Sequence, residues 1–224
     1  MSSQPVPAPL RSPISSPLYA ILDPSQTRGR DPLSVLRDLL QGGLRLLQLR
    51  AKEMASKELL ALAKEIRPLS RKAGCLFIVN DRVDIALAAE ADGVHLGQED
   101  LPLVVARKLL GEEKIIGIST HDPAQAREAE REGADYIGFG PIFGTSTKET
   151  GYSPRGLAML KEIRQAVKIP IVAIGGITES NVAQVREAGA NSAAIINDLM
   201  GAEDVAGKVR RILSLFPDLV QKHR

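Results

Sequence analysis

Short apolar runs of four or five residues alternate along the chain with longer stretches whose apolar positions recur every three or four residues. The first pattern predicts buried strands and the second amphipathic helices. Eight strands are predicted: Leu18–Leu22, Arg45–Leu49, Leu76–Val79, Gly93–Leu96, Ile115–Ile118, Tyr136–Phe139, Ile171–Ile174 and Ser192–Ile196. The clearest helices between them are Asp31–Gln41, Ser56–Lys72, Pro123–Arg131, Glu179–Ala188 and Asp204–Leu215. Ser56, and Thr178 or Ser180, offer N-cap chemistry at two of these helices. One strand and one helix follow each other about every 25 residues, the order of β/α units in a parallel sheet.

Three junctions repeat one design, AEADGVHLG at 89–97, EGADYIGFG at 132–140 and AGANSAAIIN at 188–197. Each reads as a helix end, a short polar link and a buried strand. Their anchors Asp92, Asp135 and Asn191 lie 43 and 56 residues apart, so every second strand resembles the last. That spacing favours a closed (β/α)8 TIM barrel, an α/β fold, over an open doubly wound sheet.

Composition narrows the picture. A chain of 224 residues, 44% hydrophobic, suits one barrel domain over residues 18–216, between a Pro/Ser-rich leader at 1–17 that reads as disordered and a tail at 217–224. Lys and Arg number 29 against 27 Asp and Glu, and there is no Trp, so neither a basic field nor stacking platforms point to nucleic acid. No apolar run reaches the roughly 20 residues that span a bilayer, and the leader does not read as a signal peptide, so a soluble, cytoplasmic protein is expected. Cys75 lies in the apolar run CLFIV and reads as a core thiol. Nothing in the pattern opposes assembly as a homo-oligomer.

Six polar clusters follow predicted strands: QLRAK at 48–52, Asn80–Asp81, HLGQED at 95–100, STH at 119–121, TSTK at 145–148 and GGI at 175–177. In a parallel barrel these meet at the rim where such barrels carry their chemistry. Asp81 and Asp100 follow neighbouring strands, where two carboxylates suit Mg²⁺ together with phosphate oxygens. Each is equally placed to cap the helix after it, and the two roles are compatible. Arg50, Lys52 and Lys148, flanked by Gln48, Asn80 and Ser119, make an anion pocket fit for a diphosphate. Gly175–Ile177, with Thr145, Ser146 and Thr147, suggests a second phosphate site, the glycines admitting close approach and a helix from Thr178 pointing its N–H groups at the ligand. A tight turn is the plainer reading of that glycine pair. His95 reads as a strand-end core residue, while His121 suits either acid–base work or a polar rim position. Gly144 and Gly151 bracket a loop that is a candidate lid.

These motifs resemble the thiamine-phosphate synthase family, from about Leu18 to Leu215: QLRAK, NDRVDIALAAEADGVHLGQED, GIST, ADYIGFGPIFGTSTK and IPIVAIGGI match it in order. The resemblance implies a (β/α)8 transferase of thiamine biosynthesis that joins a pyrimidine methyl diphosphate to a thiazole phosphate with Mg²⁺ and releases pyrophosphate by a dissociative mechanism. By the same resemblance Gln48, Leu49, Arg50, Ala51, Lys52, Asn80, Ser119 and Lys148 hold the pyrimidine diphosphate, with Arg50, Lys52, Ser119 and Lys148 acting on the reaction. Asp81 and Asp100 hold the metal, and Thr145, Ser146, Thr147, Gly176, Ile196 and Asn197 line the thiazole-phosphate side. Asn197 departs from the serine usual there.

Two alternatives remain open on the sequence alone. Thiazole tautomerases share the barrel and resemble this chain around His121 and GYSPRGL, but generally lack the metal and diphosphate set present here. A non-catalytic phosphate-binding barrel would keep GGI without needing a metal pair beside a second anion pocket.

Overall fold

All eight apolar runs form strands in the computed structural model, which describes Ile14, residues 16–144 and residues 153–216. The strands are β1 (Leu18–Leu22), β2 (Leu46–Leu49), β3 (Leu76–Asn80), β4 (Gly93–Leu96), β5 (Ile115–Thr120), β6 (Tyr136–Phe139), β7 (Ile171–Ile174) and β8 (Ser192–Ile195). Each pairs in parallel with the next, and β8 returns to β1, closing the barrel. The helices are α1 (Pro32–Gln41), α2 (Ser56–Lys72), α3 (Val83–Ala88), α4 (Leu103–Leu110), α5 (Pro123–Arg131), α6 (Gly156–Ala166), α7 (Val182–Glu187), α8 (Asn197–Met200) and α9 (Val205–Ser214).

Alternation along each strand divides the core in two. Leu18, Ala20 and Leu22 of β1 face the helices with Leu47, Phe77, Val94 and their equivalents, while Tyr19 and Ile21 turn inward with Leu46, Ile78, Tyr136, Val172 and Ala194. Ile14 joins the inner cluster and is 3% exposed; Ser16 Oγ donates to the Leu18 carbonyl, and the Pro17 carbonyl accepts from Ala193. The described end of the expected leader therefore packs against the barrel.

The repeated junctions prove to be one hydrogen-bonding device. Asp92 accepts from the Phe77 N–H and from Arg67, each at 2.8 Å. Asp135 accepts from Ile116 N–H and Arg107, each at 2.7 Å, and Asn191 from Ile171 N–H at 2.9 Å and Arg164 at 3.1 Å. Each clamp ties the start of an odd strand to the link before the next even one.

α2 begins at Ser56 as expected, but the capping roles differ from expectation. Asp31 and Asp122 cap α1 and α5 by accepting from Ser34 and Gln125. Ser56 is instead the first residue of α2, after Ala55, which has no side-chain cap, and its hydroxyl accepts from Arg82. α7 begins at Val182, beyond Thr178 and Ser180. Asp81 and Asp100 cap nothing either, since Arg82 and Pro102 occupy those positions for α3 and α4.

Candidate active site

At the C-terminal ends of the strands lies a cavity of about 350 Å³, lined in part by Gln48, Arg50, Asn80, Ser119, Gly176, Ile196 and Asn197. Such a volume suits a small organic ligand. Leu49 faces the helices, so only its main chain can approach a ligand, and Ala51 packs against the same helix-side core. Thr145, Ser146, Thr147 and Lys148, and the loop bracketed by Gly144 and Gly151, lie outside the described residues.

Asp81 follows β3 with φ 61, a left-handed conformation that Asp tolerates better than most residues. Its N–H donates to the His95 carbonyl at 2.8 Å. Asp100, in the turn after β4, accepts from the Gly97 N–H at 2.6 Å. The Asp81 and Asp100 carboxyl groups are close enough to act on each other's charge, and Lys52 Nζ stands 3.3 Å from Asp81. Burial pushes the Asp81 carboxyl above the usual carboxylate range, and the hydrogen bond and charge of Asp100 add to this against the pull of Lys52. Two acidic groups held this close, with all-oxygen donors, fit a hard divalent cation such as Mg²⁺.

Arg50 bonds Asp23, which follows β1 and is 2% exposed. Asp23 also accepts from Ser25 N–H and Oγ. Asp23 is not among the residues that the sequence pattern singles out, although it occupies the same strand-end position as the six clusters. His95 is more than core filling: it lines the cavity, with Nε2 at 2.9 Å from Ser119 Oγ and Nδ1 at 3.0 Å from the Tyr136 hydroxyl. His121 also lines the cavity, and its Nδ1 donates to the Gly140 carbonyl at 2.7 Å, which puts the proton of the neutral ring on Nδ1.

The glycine pair after β7 is needed on two counts. Gly175 and Gly176 have φ 101 and 63, and a Cβ would lie 2.6 Å from Pro141 Cα or 2.5 Å from the Gly144 carbonyl oxygen. No helix starts at Thr178 to aim its amides outward. Thr178 N–H donates to Asn181 Oδ1, and Glu179 N–H donates to Asp198, which also pairs with Lys208 at 2.5 Å. Asp198 was not anticipated either; it ties the loop after β7 to α8 beside the cavity. Among the described residues, no helix is long and apolar enough to cross a membrane.

Residues 18–199 match the family model described as thiamine monophosphate synthase. The chain is 53% identical over 195 residues to a thiamine-phosphate synthase of Moorella thermoacetica, covering 87% of this chain and 93% of that one. It is 47% identical over 199 residues to a thiamine-phosphate synthase of Syntrophomonas wolfei, covering 89% and 95%. Among solved structures it resembles thiamine phosphate pyrophosphorylase from Pyrococcus furiosus, with TM-score 0.83, 38% identity and coverage of 92% and 98%.

Proposed function

The chain belongs to the thiamine monophosphate synthase family, and from that premise we propose how its own residues carry out the transfer. The reaction condenses a pyrimidine methyl diphosphate with a thiazole phosphate to give thiamine phosphate and pyrophosphate. The observation that carries this reading is the Asp81–Asp100 pair, with Lys52 beside it, at the same rim as Arg50 and the cavity.

Asp81 and Asp100 hold Mg²⁺ in this reading, and the bound ion supplies charge neutralisation at the leaving diphosphate. Arg50, held by Asp23, and Lys52 stabilise the negative charge that builds as the methylene C–O bond breaks. Lys148 takes the same part by sequence resemblance. Gln48, Asn80 and Ser119 orient the pyrimidine, whose electron-rich ring supports the methylene cation. Gly176, Ile196 and Asn197, with Thr145, Ser146 and Thr147, hold the thiazole phosphate so that its ring nitrogen meets that carbon. Asn197 presents an amide where a serine would present a hydroxyl. No protein nucleophile is required; the site works by positioning and electrostatics.

The test supplies both phosphorylated substrates, with and without Mg²⁺, and measures pyrophosphate. Release that needs both substrates and the metal is expected. Release from the pyrimidine diphosphate alone, or none at all, contradicts the proposal.

A further inference from the structure

A row of five side chains crosses the barrel interior from β2 to β5. Gln48 Nε2 donates to the Tyr19 hydroxyl at 3.0 Å, and the Tyr19 and Tyr136 hydroxyls are 3.1 Å apart. The Tyr136 hydroxyl lies 3.0 Å from His95 Nδ1, and His95 Nε2 lies 2.9 Å from Ser119 Oγ. The wall is cleared for this row. A Cβ on Gly117 would fall 2.0 Å from Tyr136 Cζ, and one on Gly138 would fall 2.9 Å from His95 Cε1.

Counting protons gives the row a direction. Burial raises the pKa of both phenols, so each keeps its single proton. Tyr19 receives an N–H from Gln48, which leaves Tyr136, among the described residues, to accept the proton of Tyr19. For a neutral His95 ring the Tyr136 proton then goes to Nδ1, so the ring proton sits on Nε2 and is donated to Ser119 Oγ. Ser119 is left with its own O–H to give, and Gln48 with Oε1 to accept. Reversing this pattern requires turning the Gln48 amide and every link after it.

We propose that Tyr19, Tyr136 and His95 are positioning residues that join Gln48 and Ser119 into one recognition element, so that the bond made at one end sets the polarity at the other. The ligand class it suits is a planar heteroaromatic ring with a donor on one edge and an acceptor on another, as in an aminopyrimidine. This rests on the transferase reading and deepens it. Gln48, Tyr19, His95 and Ser119 line the cavity, whereas Tyr136 is fully buried outside its lining, so a change at its hydroxyl alters no lining atom.

The test is a double-mutant cycle on the full chain in the pyrophosphate-release assay. Tyr136→Phe keeps the stack with His95, whose ring centroid is 5.4 Å away, and removes one oxygen. It should raise KM for the pyrimidine diphosphate about tenfold and leave KM for the thiazole phosphate unchanged. The losses in kcat/KM from Gln48→Ala and Ser119→Ala should deviate from additivity by about fivefold with Tyr136 in place, and add simply in the presence of Tyr136→Phe. Additive losses in the otherwise native protein, coupling that survives Tyr136→Phe, or equal rises in both KM values would overturn the relay. If Tyr136→Phe does not fold, His95→Asn keeps an acceptor for Tyr136 but withdraws from Ser119, and in the same cycle additivity with His95→Asn supports the relay while surviving coupling overturns it. An unmodified protein that releases no pyrophosphate overturns the transferase reading and the relay with it, whereas turnover with an additive cycle overturns the relay alone.

Discussion

Asp81, the proposed metal ligand, is costly to the fold when ionised. Its folded-state pKa is raised, so the stability it contributes is present below the usual carboxylate range and is lost as pH rises through the raised value. The metal-free protein should therefore gain thermal stability at neutral pH on Asp81→Asn, while Mg²⁺ should raise the melting temperature of the native chain only. Turnover should fall at least about 100-fold. A variant that melts lower than the native chain without metal, or keeps its response to Mg²⁺, contradicts the assignment. Asn is the informative replacement because Ala at φ 61 would add strain of about 1–2 kcal/mol. Asp23 is the opposite case, a buried residue whose partner Arg50 is proposed to bind the diphosphate. Asp23→Asn retains an acceptor for Ser25 but leaves Arg50 without its anionic partner. A loss of about 1–3 kcal/mol in stability is expected, with kcat/KM for the pyrimidine diphosphate down about tenfold, by thermal unfolding and steady-state kinetics.

At the scale of elements, the clamps at Asp92, Asp135 and Asn191 divide six of the strands into the pairs β3–β4, β5–β6 and β7–β8. Arg45, at the matching position before β2, donates to the Ala73 carbonyl at the end of α2, so its bond runs forward toward β3 rather than back to β1. Asp92→Ala and Asp135→Ala each strand a backbone N–H and an arginine, costing about 1–3 kcal/mol. The two losses should add, because the clamps share no partner. Activity at a temperature well below melting should stay within about twofold, since the clamps lie at the strand starts and the chemistry at the strand ends. Strands were legible to within two residues because their apolar runs are buried on both faces. The capping residues, and the start of α7, were less so. Ser56 and Thr178 are good capping types, but a cap is chosen by where the chain enters the helix, which depends on the loop's tertiary path.

For the whole molecule, the inner cluster is separate from the helix-facing core, and Ile14 completes it from outside the strands. Ile14→Ala should cost about 2–4 kcal/mol by cavity formation and lower the melting temperature, with both KM values unchanged. The eight apolar runs and the repeat of every second junction favoured the closed parallel barrel that the structure shows, because a strand period and a β/α order are local properties of a chain. The motifs at those ends singled out Gln48, Arg50, Asn80, Ser119 and Gly176, and the family resemblance added Ile196 and Asn197; all seven line one cavity. Which residues meet across the interior is not local. Tyr19 and Tyr136 are 117 positions apart on β1 and β6, and Tyr136 and His95 lie on β6 and β4. Only barrel closure, with its particular register, brings such pairs within bonding distance, and it alone decided that His95 joins the site rather than filling the core.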